Sequence, residues 1–139
     1  MLKGLNPILG PELLSTLRAM GHGDEIAIVD GNYPAVAHAK RLVRADGHGA
    51  APLLDAILSI MPVDDMVPES IFIPHHDKVQ PCHVSFREIC ARHEPARPVT
   101  TLKGQTFYDR VKTAHTIVAS SEPALYANII LRKGVIYPA

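Results

Sequence analysis

Leu13, Leu14, Leu17 and Met20 fall on one face at helical spacing, with Pro11 suited to a first turn and Gly21 to a stop, so Pro11 to Met20 is predicted as an amphipathic helix. The period then changes. Glu25 to Val29 is a short apolar run, partly β-branched, that ends in the turn cluster Asp30-Gly31-Asn32-Tyr33-Pro34 and reads as a buried strand followed by a loop. Leu42 to Ala45 reads as a second strand, and Ala51 to Met61 as a helix closed by Pro62. Ser70 to Ile73 reads as a strand and Ser85 to Arg92 as a polar helix, with the intervening histidines, cysteines and prolines giving no clear period. Beyond the Pro95 to Pro98 linker follow a strand at Val99 to Leu102, a helix at Gln105 to Ala114 and a β-branched strand at Thr116 to Ala119. Ile129 to Leu131 and Val135-Ile136 are expected to form a last strand or a hairpin broken at Gly134. Strands alternating with helices predict an α/β domain with helices packed on a largely parallel sheet.

No repeat or low-complexity tract divides the chain, and 139 residues fit one domain, 1–139, able to bury roughly 68% of the surface its unfolded form exposes. Fourteen basic residues balance fourteen acidic ones without a basic stripe, so neither nucleic acid nor an anionic membrane is an expected partner. A net charge of zero is compatible with self-association. Cys82 and Cys90 are too few for a disulfide framework and fit free thiols in a reducing compartment. The first residues lack a signal-peptide core, and no apolar run reaches the roughly 18 residues of a membrane span, so a soluble cytoplasmic protein is expected.

Three loops carry candidate chemistry. Gly21-His22-Gly23-Asp24 displays an imidazole between two glycines, and histidine is the side chain that gives and takes protons near neutrality; a solvated loop histidine is the bland alternative. Asp30 directly follows an apolar strand, at the end of a layered sheet where ligands bind, although an Asx turn holding Gly31-Asn32 would use the same carboxylate. Tyr126-Ala127-Asn128 puts a hydroxyl and an amide two residues apart, on one side of an extended backbone, which suits sugar hydroxyls; tyrosine and asparagine at a strand entrance serving only packing and a turn is the alternative.

A metal reading rests on His75, His76, Cys82, His83, Cys90 and His93, with Cys90 and His93 at i and i+3 of a helix. Their spacing matches no paired zinc pattern, so no metal is expected. Phosphate-cradling glycine motifs and the Gly-x-Ser-x-Gly elbow are missing as well, which disfavours nucleotide chemistry and a serine hydrolase.

Together, Pro11-Glu12-Leu13-Leu14, the stretch Met20 to Ile26, the turn Arg44-Ala45-Asp46-Gly47 and the block Tyr126 to Leu131 with Lys133-Gly134-Val135 resemble the ribose pyranase and fucose mutarotase family. The likeness spans almost the whole chain and is weakest from about residue 62 to 100. The Arg44 to Gly47 turn and Phe107-Tyr108-Asp109-Arg110 resemble the fucose mutarotase branch more closely. The resemblance implies a three-layer α/β/α protein with a mixed, largely parallel central sheet. It also implies a ring-based homodecamer with sites near subunit interfaces that interconverts anomers of an unmodified monosaccharide, L-fucose or a related aldose, without a cofactor. It implies His22 as the proton donor, and Asp30, Tyr126, Ala127 and Asn128 as sugar-binding residues. One position departs: the branch's arginine, or the pyranases' histidine, three residues before the phenylalanine matching Phe107 is here Gly104, with Lys103 and Gln105 beside it to supply the contact.

Pyranose-furanose exchange on ribose or another aldose uses the same acid-base chemistry, and a non-catalytic sugar-binding module would use the same pocket. One geometric consequence follows from spacing alone. Eight steps along an extended strand separate His22 from Asp30 by up to about 26 Å, far more than a monosaccharide spans. Either the chain bends sharply, or the two residues serve one sugar from adjacent subunits.

Overall fold

In the computed structural model, which describes residues 1–139, the chain runs α1 (Pro11–Ala19), β1 (Glu25–Val29), α2 (Ala35–His38), β2 (Leu42–Ala45), α3 (Ala50–Leu58), β3 (Ile71–Pro74), α4 (Pro81–His93), β4 (Val99–Leu102), α5 (Gly104–Thr113), β5 (Thr116–Ser120) and β6 (Ile129–Arg132). The six strands form one sheet in the order β2-β5-β1-β6-β3-β4. β1, β2 and β5 pair in parallel, as do β3 with β4, while β6 lies antiparallel between β1 and β3. The sheet is therefore mixed and largely parallel, as expected.

Two cores flank it, and the period-two alternation of the central strands creates both. Ile26 and Ile28 of β1 join Leu13 and Leu17 of α1, Leu53, Leu54 and Ile57 of α3, and Phe86 and Ile89 of α4 on one face. Ala27 and Val29 point the other way, to Ala35 of α2 and Phe107 and Val111 of α5. Three layers result. β1 is buried from Ile26 to Val29 because neighbouring strands and both helical layers cover it, which is why it reads as a continuous apolar run.

Three expectations need correction. The turn after Asp30 leads into the four-residue α2, too short to show a period. α4 starts at Pro81, ahead of the predicted Ser85, because proline at the first helical position begins a helix instead of breaking it. Val135-Ile136 adds no strand: β6 ends at Arg132, only an isolated bridge joins Lys133 to Val63, and Gly134 packs against the Val63 backbone.

Candidate active site

The His22 loop hangs from the end of α1 and is tied to β6. Gly23 N–H donates to the Lys133 carbonyl at 2.9 Å, Lys133 N–H donates to the Asp24 carbonyl at 2.8 Å, and the Asp24 carboxylate closes the turn by accepting from Gly21 N–H at 2.8 Å. Lys133 also caps α1, its ammonium donating to the Leu17 carbonyl at 2.7 Å and the Met20 carbonyl at 2.5 Å.

The His22 side chain is 41% exposed, and its Nε2 lies 3.0 Å from Oδ1 of Asp64, which is 1% exposed. Arg132 Nε donates to the other Asp64 oxygen at 2.7 Å, and Met66 N–H donates to Oδ1 at 3.0 Å. Burial by itself would raise the Asp64 pKa. The Arg132 guanidinium, the Met66 amide and His22 outweigh it and bring the carboxyl down to about 2. A carboxylate ionised at every working pH only accepts, so the proton between the two groups sits on His22 Nε2, and Nδ1 is the nitrogen presented outward.

Asp30 stands at the opposite end of β1. Its N–H donates to Asn128 Oδ1 at 2.8 Å, and its own Oδ1 accepts from Asn32 N–H at 2.8 Å. The Asx turn therefore forms and leaves the second carboxylate oxygen for a ligand. Asn128 is buried and spends its carbonyl on Asp30, which leaves its NH2 as a donor.

Tyr126 and Asn128 share a pocket for a reason other than the expected one. Tyr126 has φ +63°, the left-handed region, and Asn128 N–H donates to its carbonyl at 2.9 Å, so a turn brings the two together where an extended backbone was expected. α4 and the loop before it brace that turn: His83 of α4, buried, bonds the Tyr126 carbonyl through Nε2 at 2.8 Å, and the ring of His76 in the β3–α4 loop lies 4.6 Å from the Tyr126 ring. Burial lowers the His83 pKa, in keeping with a neutral ring donating through Nε2–H.

Asp30, Tyr126 and Asn128 line one cavity of about 480 Å³, together with Tyr33, His38 and Tyr108. Gln105 and Lys112 of α5 reach the same cavity, whereas Lys103 is not among its lining residues. Ala127 is not either; its methyl lies in the core and only its backbone could face a ligand. Aromatic walls with a few convergent polar groups are what a small-molecule site requires. A cavity of about 550 Å³ at the other end of the sheet has no hydrophobic residue in its lining, and two of its three guanidinium groups are committed to carboxylates: Arg110 is bidentate to Glu25 at 2.9 and 2.6 Å and Arg132 is held by Asp64, while Arg41 donates to the His115 carbonyl at 3.2 Å.

His22 belongs to that other end. β1 runs straight between it and Asp30, so one chain does not bring them together. The cysteine-histidine set does not converge either: His93 bonds Asp55 at 2.7 Å, His83 serves Tyr126, and Cys82 and Cys90 are free thiols. The sequence reading missed Asp64, Tyr33 and His38. Asp64 is linked to His22 only through long-range packing, and nothing local marks His38.

Fold and pocket define a three-layer α/β protein with a polar, aromatic-walled cavity where the parallel strands end. The chain belongs to the RbsD / FucU transport protein family, whose model matches residues 3–136. Human fucose mutarotase is 39% identical over 97% of this chain and 94% of its own length. The crystal structure of the Streptococcus pneumoniae fucose mutarotase in complex with L-fucose superposes with a TM-score of 0.92 at 41% identity, covering 98% of this chain and 100% of that one. Bacillus subtilis RbsD complexed with D-ribose, at 20% identity and a TM-score of 0.77 over 99% of this chain and all of its own, shares the fold.

Proposed function

We propose that this chain is a cytoplasmic sugar mutarotase that interconverts the α and β anomers of an unmodified monosaccharide, L-fucose or a related aldose. The observation that carries the chemistry is the exposed His22 imidazole held through Nε2 by a buried, ionised carboxylate. Such a group exchanges protons through Nδ1 without losing its orientation. The relatives named as fucose mutarotases support the substrate class.

Anomer exchange needs one acid and one base. The base takes the proton of the anomeric hydroxyl, the C1–ring oxygen bond breaks as the acid protonates the ring oxygen, and the open aldehyde rotates about C1–C2. Reclosure on the other face returns both protons. His22 is one of the two proton-transfer groups, and Asp30, Tyr126, Asn128 and the backbone at Ala127 hold the sugar. Positioned acid-base groups contribute roughly a hundred- to ten-thousand-fold, enough for a reaction that already proceeds in water, and no metal, nucleotide or covalent adduct enters.

Because His22 and Asp30 sit at opposite ends of β1, the working site is assembled between subunits, the imidazole of one protomer meeting the cavity of the next. A ring-based homodecamer is the assembly the family resemblance favours.

One-dimensional NMR with saturation transfer between anomers, over a panel of aldoses, tests the reading. Protein should accelerate exchange of one sugar well above the rest, and His22→Ala should return that rate to the solvent value. Binding without acceleration would mark a sugar-binding module, and acceleration of pyranose-furanose exchange on ribose would mark a pyranase.

A further inference from the structure

Tyr33 and His38 have no part in the assignments above, yet both line the sugar cavity beside Asp30, Tyr126 and Asn128. The Asp30 turn places Tyr33, its N–H donating to the Asp30 carbonyl at 3.2 Å, and α2 carries His38 back over it. The Tyr33 hydroxyl lies 2.8 Å from His38 Nδ1, and the rings meet edge-on at 5.3 Å and 81°. Tyr108 of α5 closes on the far side, its ring 6.0 Å from that of Tyr33.

Burial, then Tyr108 and Asp30, push the Tyr33 pKa up to about 12, so the hydroxyl keeps its proton throughout the neutral range. The contact with Nδ1 spends one side of the hydroxyl and fixes its direction, so the remaining hydrogen-bonding capacity of Oη faces the cavity. Asn128, with its carbonyl already used, offers only a donor there, and Lys112 offers another. A hydroxyl held in one direction selects the sugar that places a hydrogen-bond partner against it.

We propose that Tyr33 is a specificity-determining residue of this cavity, its oriented hydroxyl hydrogen-bonding one sugar hydroxyl, and that His38 is the positioning residue that aims it. The inference rests on the mutarotase reading and deepens it.

The test compares anomer exchange of L-fucose, L-galactose, D-arabinose and D-ribose by wild type, Tyr33→Phe, His38→Leu and His38→Asn. Tyr33→Phe keeps the ring and should cut kcat/KM for the best of the four sugars roughly tenfold, mostly through KM, while poorer sugars change less, so the ranking compresses. His38→Leu should reproduce that sugar-dependent loss. His38→Asn, whose amide stands near the place of Nδ1, should restore most of it. Rates for all four sugars unchanged in Tyr33→Phe, or reduced by one common factor, overturn the inference while leaving the mutarotase reading intact. Wild type that accelerates none of the four overturns both.

Discussion

Asp64 acts on His22 through two oxygens with different duties, one holding the imidazole and the other neutralised by Arg132. The carboxyl falls from the ordinary 3.8 to about 2 on folding, so its ion pair contributes stability above pH 4 that is lost as pH drops through about 2. A shift of that size corresponds to about 2 kcal/mol. Asp64→Asn should therefore lose about that much unfolding free energy near pH 7, read as a lower urea midpoint, and the gap from wild type should close as the acid limit is approached. The same substitution puts an amide against the Arg132 guanidinium and weakens the hold on the His22 tautomer. Anomer exchange should fall at least about tenfold even where the protein stays folded, as a wrong tautomer does in other imidazole-carboxylate pairs. A rate equal to wild type in folded Asp64→Asn would remove the carboxylate from the mechanism.

Between elements, the end of β6 and the residues just after it organise the His22 end. Arg132 holds Asp64, Lys133 caps α1, and a Cβ at Gly134 would come within 2.6 Å of the Val63 carbonyl oxygen and 2.8 Å of the Asp64 nitrogen. Backbone cannot yield as a side-chain tip can, so Gly134→Ala should shift the Asp64 segment, lower Tm by several degrees and depress exchange together. Gly10→Ala, with open space at its Cβ, is the control expected to leave exchange unchanged, at only the modest stability cost of alanine at the α1 N-cap. Elements written in local pattern were legible in sequence: β1, with its continuous apolar run, and α1, with its one-sided leucines, lie within a residue of their predicted bounds. The pieces that complete the site were not. Asp64 lies 42 residues from His22 and sits in no periodic segment, and α2 is a single turn. The histidine-rich stretch had no legible purpose in sequence because its role, bracing Tyr126 through His83 and His76, exists only once α4 packs beside the β5–β6 connection.

At the scale of the whole molecule, the proposed mechanism divides one chemistry between the two ends of β1, and both ends leave apolar side chains uncovered. Met66, Ile136 and Tyr137 are exposed near the His22 end, and Leu125, Val36 and Val79 are exposed in segments next to the cavity. A patch at one end meeting a different patch at the other is a head-to-tail contact, which closes into a ring when the rotation allows. Such an interface would cover both patches and bring an imidazole to each cavity in one step. Subunit mixing tests this directly. His22→Ala and Asp30→Ala proteins should each be inactive alone, because every site lacks one half. Unfolded together and reassembled in equal amounts, they should regain about a quarter of wild-type exchange, since a site works only when its imidazole and its cavity come from different variants. If each protomer supplied both groups to its own site, every site would retain its lesion and the mixture would stay as inactive as its components.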